Sequence, residues 1–266
     1  MRKHYGLNRF ALLLTGASWL LMVLLVWLLP VSFSGYLQHD PDTLFWYALS
    51  ESGGVYGTPV LGVLLCLLVA KRQAGLKLRV QSFTVAFLFL LATLGSMALL
   101  NEYVIKPLAH VPRPSHQFLL GPKGEEASLL DTFYLQDAPS RRAYLAEFLK
   151  KEPEKYAQIS PLVLEHWVNE AGYSFPSGHS QNAFLLGSLL TMWLGLQVPR
   201  RHRPWLALPL VWAVLVCLSR VALGVHSELD VTLGSGVGLL LAYLFSLSGV
   251  LRKAFREATH PVNLSS

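Results

Sequence analysis

Charge is in short supply in this 266-residue chain. Asp, Glu, Lys and Arg together make up 14% of it, where an average soluble domain carries about 25%. That shortfall argues against an ordinary soluble domain. Acids are scarcer still, at 16 against 22 Lys and Arg, for a net charge of +6. Cysteine is almost missing. Cys66 and Cys217 both sit inside apolar runs, which excludes a disulfide framework or a cysteine metal site. They read as small buried hydrophobes. There is no internal repeat. What the chain has in excess is apolar side chains, at 53%, with seven Trp and a mean hydropathy of +0.42. Such a chain is not disordered.

The apolar residues fall into six runs: Phe10–Leu29, Gly53–Ala70, Ser82–Ile105, Ser180–Val198, Trp205–Gly224 and Val231–Leu251. A bilayer core of about 30 Å takes roughly 20 apolar residues as a helix, and backbone in lipid must satisfy its own hydrogen bonds. These runs therefore predict an all-α, polytopic membrane protein with six transmembrane helices in one domain over 1–266. The first run is too long for a signal-peptide core and lacks a small-residue cleavage site, so it reads as a retained anchor.

Where the cations sit predicts the orientation. Arg2, Lys3 and Arg9 precede the first run; Lys71, Arg72, Lys77 and Arg79 follow the second. Arg200, Arg201 and Arg203 separate the fourth from the fifth, and Arg252, Lys253 and Arg256 follow the sixth. Glu257 is the one acid among these flanks, whereas 31–54 has no Lys or Arg but holds Asp40, Asp42 and Glu51. Both termini are thus expected in the cytoplasm. The long connection over about 106–178 is expected outside, as a helical periplasmic cap between spans three and four. Within it, Tyr144, Leu145, Phe148 and Leu149 share one helical face, and Leu162, Leu164 and Trp167 mark a second amphipathic stretch. A packed cap is the simpler reading; a lid or lipid-access wall is the sharper one.

Polar residues collect at the outer ends of the runs. Lys106 and Arg113-Pro114 follow the third, Pro176-Ser177-Gly178-His179 opens the fourth, Ser219-Arg220 closes the fifth, and His226 and Asp230 precede the sixth. Charges at membrane depth are costly and point to function. Three cations suit a phosphate, Arg as a fork and Lys as a point charge. Ser177 and Gly178 start a helix, where free amides favour an anion. Asp230, four residues after His226, can hold the ring by its Nδ1–H and leave Nε2 as a nucleophile. His179 is a second imidazole, suited to protonating a leaving oxygen. Taken singly, each has an ordinary explanation: Lys106 snorkels, Ser177 caps a helix, Asp230 favours a helix start. Those explanations do not account for three cations and two histidines at one membrane face.

Lys-x6-Arg-Pro, Pro-Ser-Gly-His and Ser-Arg-x5-His-x3-Asp, in this order, resemble the three-part signature of the type 2 phosphatidic acid phosphatase superfamily. That superfamily also holds vanadium haloperoxidases and glucose-6-phosphatase. The long outer connection and the run from His166 to Phe175 resemble, more narrowly, its bacterial members that act on phosphatidylglycerol phosphate. The resemblance implies that His226 forms a phosphohistidine, Asp230 orients it and His179 is the general acid. Lys106, Arg113, Ser177, Gly178 and Arg220 would hold the phosphoryl oxygens. No metal or other cofactor is implied. Ser227-Glu228-Leu229 departs from the family, which has an aromatic and often a proline in this spacer, and Glu228 adds negative charge near the anion site.

The expected activity is hydrolysis of phosphatidylglycerol phosphate in the outer leaflet of a bacterial inner membrane. Undecaprenyl pyrophosphate, phosphatidate and its lyso form are further expected substrates. A dedicated undecaprenyl pyrophosphate phosphatase and a non-enzymatic lipid or anion transporter are the alternatives. The expected partners are the lipid substrate and the bilayer, with no nucleic acid and no obligate protein partner.

Overall fold

The computed structural model describes residues 9–29, 41–121 and 127–247. The orienting cations Arg2, Lys3, Arg252, Lys253 and Arg256, together with Asp40, Glu257 and the end of the sixth run, lie outside the described residues. Among those described, every regular element is a helix. They are α1 (Arg9–Leu28), α2 (Pro41–Ser52), α3 (Gly57–Ala70), α4 (Leu76–Leu100), α5 (Lys106–Ala109), α6 (Pro114–Leu120), α7 (Ala127–Leu135), α8 (Ala138–Lys151), α9 (Pro161–Asn169), α10 (Gly178–Gly195), α11 (Leu208–Ala222) and α12 (Glu228–Leu247).

Four helical stretches are long and apolar enough to cross a bilayer: Arg9–Leu28, Leu76–Ala109, Arg200–Ala222 and Glu228–Leu247. A fifth arises if Asp42–Ser52 and Gly57–Ala70 count as one span, bent by 54°. This is fewer than the six expected. The fourth run is the one that drops out. Its helix, α10, opens on His179, Ser180, Gln181 and Asn182, and those polar residues dilute its apolar length. Thirteen of the 18 residues of α10 are buried and the rest half-buried, so its surroundings, not its own hydropathy, make a polar start tolerable. The second run also differs, since its first residues belong to the break between α2 and α3.

Close approach explains the packing of α10 on α12. A Cβ on Gly234 would lie 2.4 Å from the Ser177 carbonyl oxygen, and one on Gly238 would lie 2.1 Å from that of Gln181. Gly234 and Gly238 are four apart on α12, the small-residue spacing by which helices in membranes meet backbone to backbone. Helix α1 is tied to α12 by polar pairs: Trp19 Nε1 donates to Ser235 Oγ (3.0 Å), Trp27 Nε1 donates to Thr232 Oγ1 (3.1 Å), and the Thr15 and Tyr243 hydroxyls lie 3.1 Å apart. Each such bond contributes about 0.6 kcal/mol by measurements on membrane helices. Cys66 and Cys217 are buried in the two apolar clusters between the long helices.

The segment after α5 folds into four more helices, α6 to α9. The expected amphipathic stretches are present as α8 and α9; α6 and α7 were not foreseen. Leu119, Leu120, Phe133, Leu145, Val163 and Trp167 form a third apolar cluster that packs on Leu223 and Val225, beside the turn from α11 to α12. This layer thus sits on the end of the bundle that carries the signature residues.

Candidate active site

Helix α4 does not run regularly into Lys106. Residues Asn101–Ile105 form a π-helical turn, a feature that re-aims the residues after it and is frequent at functional sites. Asn101 Nδ2 donates to Gln181 Oε1 at 3.0 Å, pinning this turn to the first turn of α10. Lys106 pairs with Glu102 at 2.7 Å, and its Nζ lies 3.9 Å from where a Cβ on Gly172 would be.

Arg113 caps α6 between two prolines, in extended backbone. Pro114 disfavours a helical conformation at Arg113, so its side chain turns inward. It is 2% exposed. Its Nε donates to the Gly172 carbonyl (3.0 Å), its Nη1 to the Val225 carbonyl (2.9 Å), and Nη1 lies 3.4 Å from Nε2 of His226. Arg220, in the last turn of α11, is fully buried. Glu170 joins the two arginines: one carboxylate oxygen is 2.7 Å from Arg113 Nη2 and the other 2.6 Å from Arg220 Nη2. Nothing in the sequence singled out Glu170, because its segment has the mixed charge of a solvated surface. Burial would push its carboxyl up, but the two guanidinium groups outweigh that and hold it well below the usual carboxylate range.

His226 lies in the turn before α12, not within the helix. Its Nδ1 is 3.7 Å from Asp230 Oδ2, beyond hydrogen-bond length. The hydroxyl of Ser174 fills the gap. It is 3.3 Å from His226 Nδ1 and donates to Asp230 Oδ2. The expected direct contact is therefore a relay through a residue that spacing could not reveal, since Ser174 is 52 positions away from His226. Ser227 in the unusual spacer also has a task. Its amide donates to Asp230 Oδ2 (2.8 Å) and its hydroxyl accepts from the Asp230 amide (3.3 Å), closing the first turn of α12. Burial, with Arg113 and Arg220 nearby, lowers the His226 pKa against the opposing pull of Asp230. The ring is thereby kept neutral, the form that can attack phosphorus.

Ser177 caps α10, its hydroxyl 2.9 Å from that of Ser180. Its own amide is occupied, donating to the Asp230 carbonyl at 3.1 Å. The amides of Gly178 and His179 donate to nothing among the described residues, so they are the donors left at this helix start. The His179 ring makes no hydrogen bond among the described residues. The structure thus brings Arg113, Arg220 and His226 together, sets Asp230 and the start of α10 behind them, and leaves Lys106 at the edge on Glu102. Among the described residues no three His, Cys, Asp or Glu side chains converge as metal ligands.

Two further histidines border the site. His116 accepts or donates at 2.7 Å to the Tyr134 hydroxyl, which itself accepts from the Arg113 amide at 2.9 Å. His166 Nε2 is 3.3 Å from Arg220 Nη1. Burial first, then the neighbouring guanidinium, lowers both rings to about 3. A histidine lowered in the folded state leaves the unfolded chain with more bound protons below its ordinary value of about 6.5. Stability from these rings is complete above that pH and is lost on acidification towards 3. Every pH unit crossed in that window costs about 1.4 kcal/mol per ring. Glu170 adds to the loss lower down, once its unfolded-state value of about 4.3 is passed. The thermal midpoint is expected to fall steadily below pH 6.5, with a shallower slope in His116→Gln. An equal slope in that variant would remove His116 from the account.

Residues 83–253 match a family model described as the PAP2 superfamily. Over 163 residues the chain is 30% identical to phosphatidylglycerophosphatase B of Escherichia coli K12, covering 60% of this chain and 59% of that protein. Against the protein of the same name from Haemophilus influenzae it is 28% identical over 230 residues, 83% of this chain and 86% of the relative. Against that from Bacillus subtilis it is 40% identical over 93 residues, 34% and 46%. The chain thus spans 59% of the length of the Escherichia coli relative.

Proposed function

Since the chain belongs to the PAP2 superfamily, we propose that it is an integral membrane lipid phosphatase working through a phosphohistidine, with no metal required. It forms one domain of six crossings, the sixth being α10, which the others wrap. Its termini face the cytoplasm of a bacterial cell, and its site faces the periplasm under the layer made by α6 to α9. The observation that carries this reading is the pair of buried guanidinium groups held on one carboxylate beside Nε2 of His226. Two arginines able to share one carboxylate can equally share the oxygens of one phosphoryl group.

In this mechanism Arg113, Arg220, Lys106 and the amides of Gly178 and His179 bind the phosphoryl oxygens and meet the charge that builds on them. Ser177 sets the turn that aims those amides. His226 Nε2 attacks phosphorus while its Nδ1–H is held by Ser174, in turn held by Asp230. As the bond from phosphorus to the leaving oxygen breaks, His179, entering the step protonated, gives that oxygen its Nε2 proton. It then takes a proton from the water that attacks the phosphohistidine, which frees phosphate and restores both rings.

Phosphatidylglycerol phosphate is the substrate we favour, because the relatives are named phosphatidylglycerophosphatases. Undecaprenyl pyrophosphate, for carrier recycling in peptidoglycan synthesis, phosphatidate and lysophosphatidate follow. Purified protein in detergent with EDTA is expected to release inorganic phosphate from short-chain forms of each, and spheroplasts to hydrolyse a membrane-impermeant one without permeabilisation. No release from any of them would leave a binding or transport role. Release that needs permeabilised membranes would reverse the orientation.

A further inference from the structure

The three-part signature leaves one wall of the site without an author. That wall is the elbow where α2 bends into α3, residues Ser50 to Gly54. Arg220 Nη1 donates to the Ser50 hydroxyl, and Glu51 Oε1 lies 3.8 Å from His166 Nδ1. Both glycines of the elbow are buried. A Cβ on Gly54 would lie 2.7 Å from Nε2 of His179 and 3.3 Å from its Cδ2. The elbow cannot retreat from such a methyl. Gly53 is seated on α11, where a Cβ would come within 2.4 Å of Val216 Cγ1. The Gly53 carbonyl accepts from the Thr58 hydroxyl at 2.8 Å, and Ser52 Oγ accepts from Trp212 Nε1 at 3.0 Å.

We propose that Gly54 is a positioning residue for the leaving-group step, its missing side chain fixing where Nε2 of His179 stands. This rests on the phosphatase reading above, in which that nitrogen carries the proton for the leaving oxygen. An added methyl is pressed hardest against the far end of one side chain; the one backbone atom it meets, the Glu51 carbonyl oxygen, stands at 3.4 Å, ordinary contact distance. The ring gives way at small cost to the fold, but the proton is displaced from the oxygen that needs it. A shift of about 1 Å in a reacting group can cost on the order of a hundredfold in rate. In the first step the elbow therefore acts only on leaving groups too basic to depart as anions, whereas the later water attack is common to every substrate.

The test compares two esters in purified full-length protein. With a short-chain phosphatidate, whose leaving alcohol needs a proton, Gly54→Ala is expected to slow single-turnover release of the alcohol about tenfold to a hundredfold, with little change in the half-saturating concentration. With 4-nitrophenyl phosphate, whose anion leaves unaided, the single-turnover burst of nitrophenolate is expected to slow by less than about threefold, the later water attack being common to both esters. His179→Ala should show the same split, and the double variant should be no slower than His179→Ala alone. The thermal midpoint of Gly54→Ala should match that of the wild type. Unchanged lipid turnover, equal losses on both esters, or a double variant slower than His179→Ala would each overturn the proposal. Wild-type protein that cleaves neither ester would refute the phosphatase reading itself.

Discussion

His226→Ala is expected to lower turnover by at least about 10⁴-fold, a loss typical of removing a covalent nucleophile. The argument is geometric. Nε2 lies 3.4 Å from Arg113 Nη1, so a phosphoryl group held by that arginine stands against the ring nitrogen. The other nitrogen is held through Ser174, so the ring cannot turn away. Lost turnover alone would not separate a nucleophile from a binding group. A second readout does: rapid acid-free quenching with labelled lipid phosphate should trap an acid-labile, base-stable phosphoprotein in the wild type and none in the variant. Label retained in His226→Ala would move the nucleophile elsewhere. Ser174→Ala breaks the relay but keeps the ring, and should retain the intermediate at a reduced rate.

The largest stability effect is expected at Glu170. Its carboxylate is the counter-ion of two buried arginines, Arg113 at 2% exposure and Arg220 at 0%. Removing one partner from a buried pair leaves an uncompensated charge, a loss of about 3–5 kcal/mol. Glu170→Gln should therefore unfold at a clearly lower temperature in phosphate-free buffer. The two guanidinium groups then seek another anion. Added phosphate or vanadate should raise the midpoint of the variant much more than that of the wild type, by linkage of binding to folding. Equal midpoints without phosphate, or equal shifts with it, would mean that the arginines do not depend on this carboxylate.

Much of this was written in the sequence. The first, fifth and sixth runs are continuous and apolar, and each is a long helix. Charge and ring nitrogens at the outer ends of apolar runs make Arg113, Arg220 and His226 candidates, and the fold brings them together because it puts three helix ends at one side of the bundle. Other features were hidden for physical reasons. Hydropathy counts what a segment is made of, not what surrounds it, so it does not show that the polar first turn of α10 is sheltered by protein. The π-helical turn before Lys106 has no compositional mark. Ser174 and Glu170 owe their places to partners roughly fifty residues away, and a small hydroxyl or one acid in a mixed segment looks the same whether paired or solvated. By sequence the elbow reads as the beginning of a span, since two glycines before an apolar run look like a lead-in.

The contact of Gly234 and Gly238 with the backbone at Ser177 and Gln181 has a further consequence. It welds the turn that offers amides to phosphate onto the helix that carries Asp230, and the bond from the Ser177 amide to the Asp230 carbonyl completes the weld. The chemical half of the molecule is thereby a single stiff block. The exposed apolar surfaces of α3 and α4 lie outside that block, so under the proposed function substitutions there would alter which lipid tails are accepted without disturbing the groups proposed to cleave the phosphate ester.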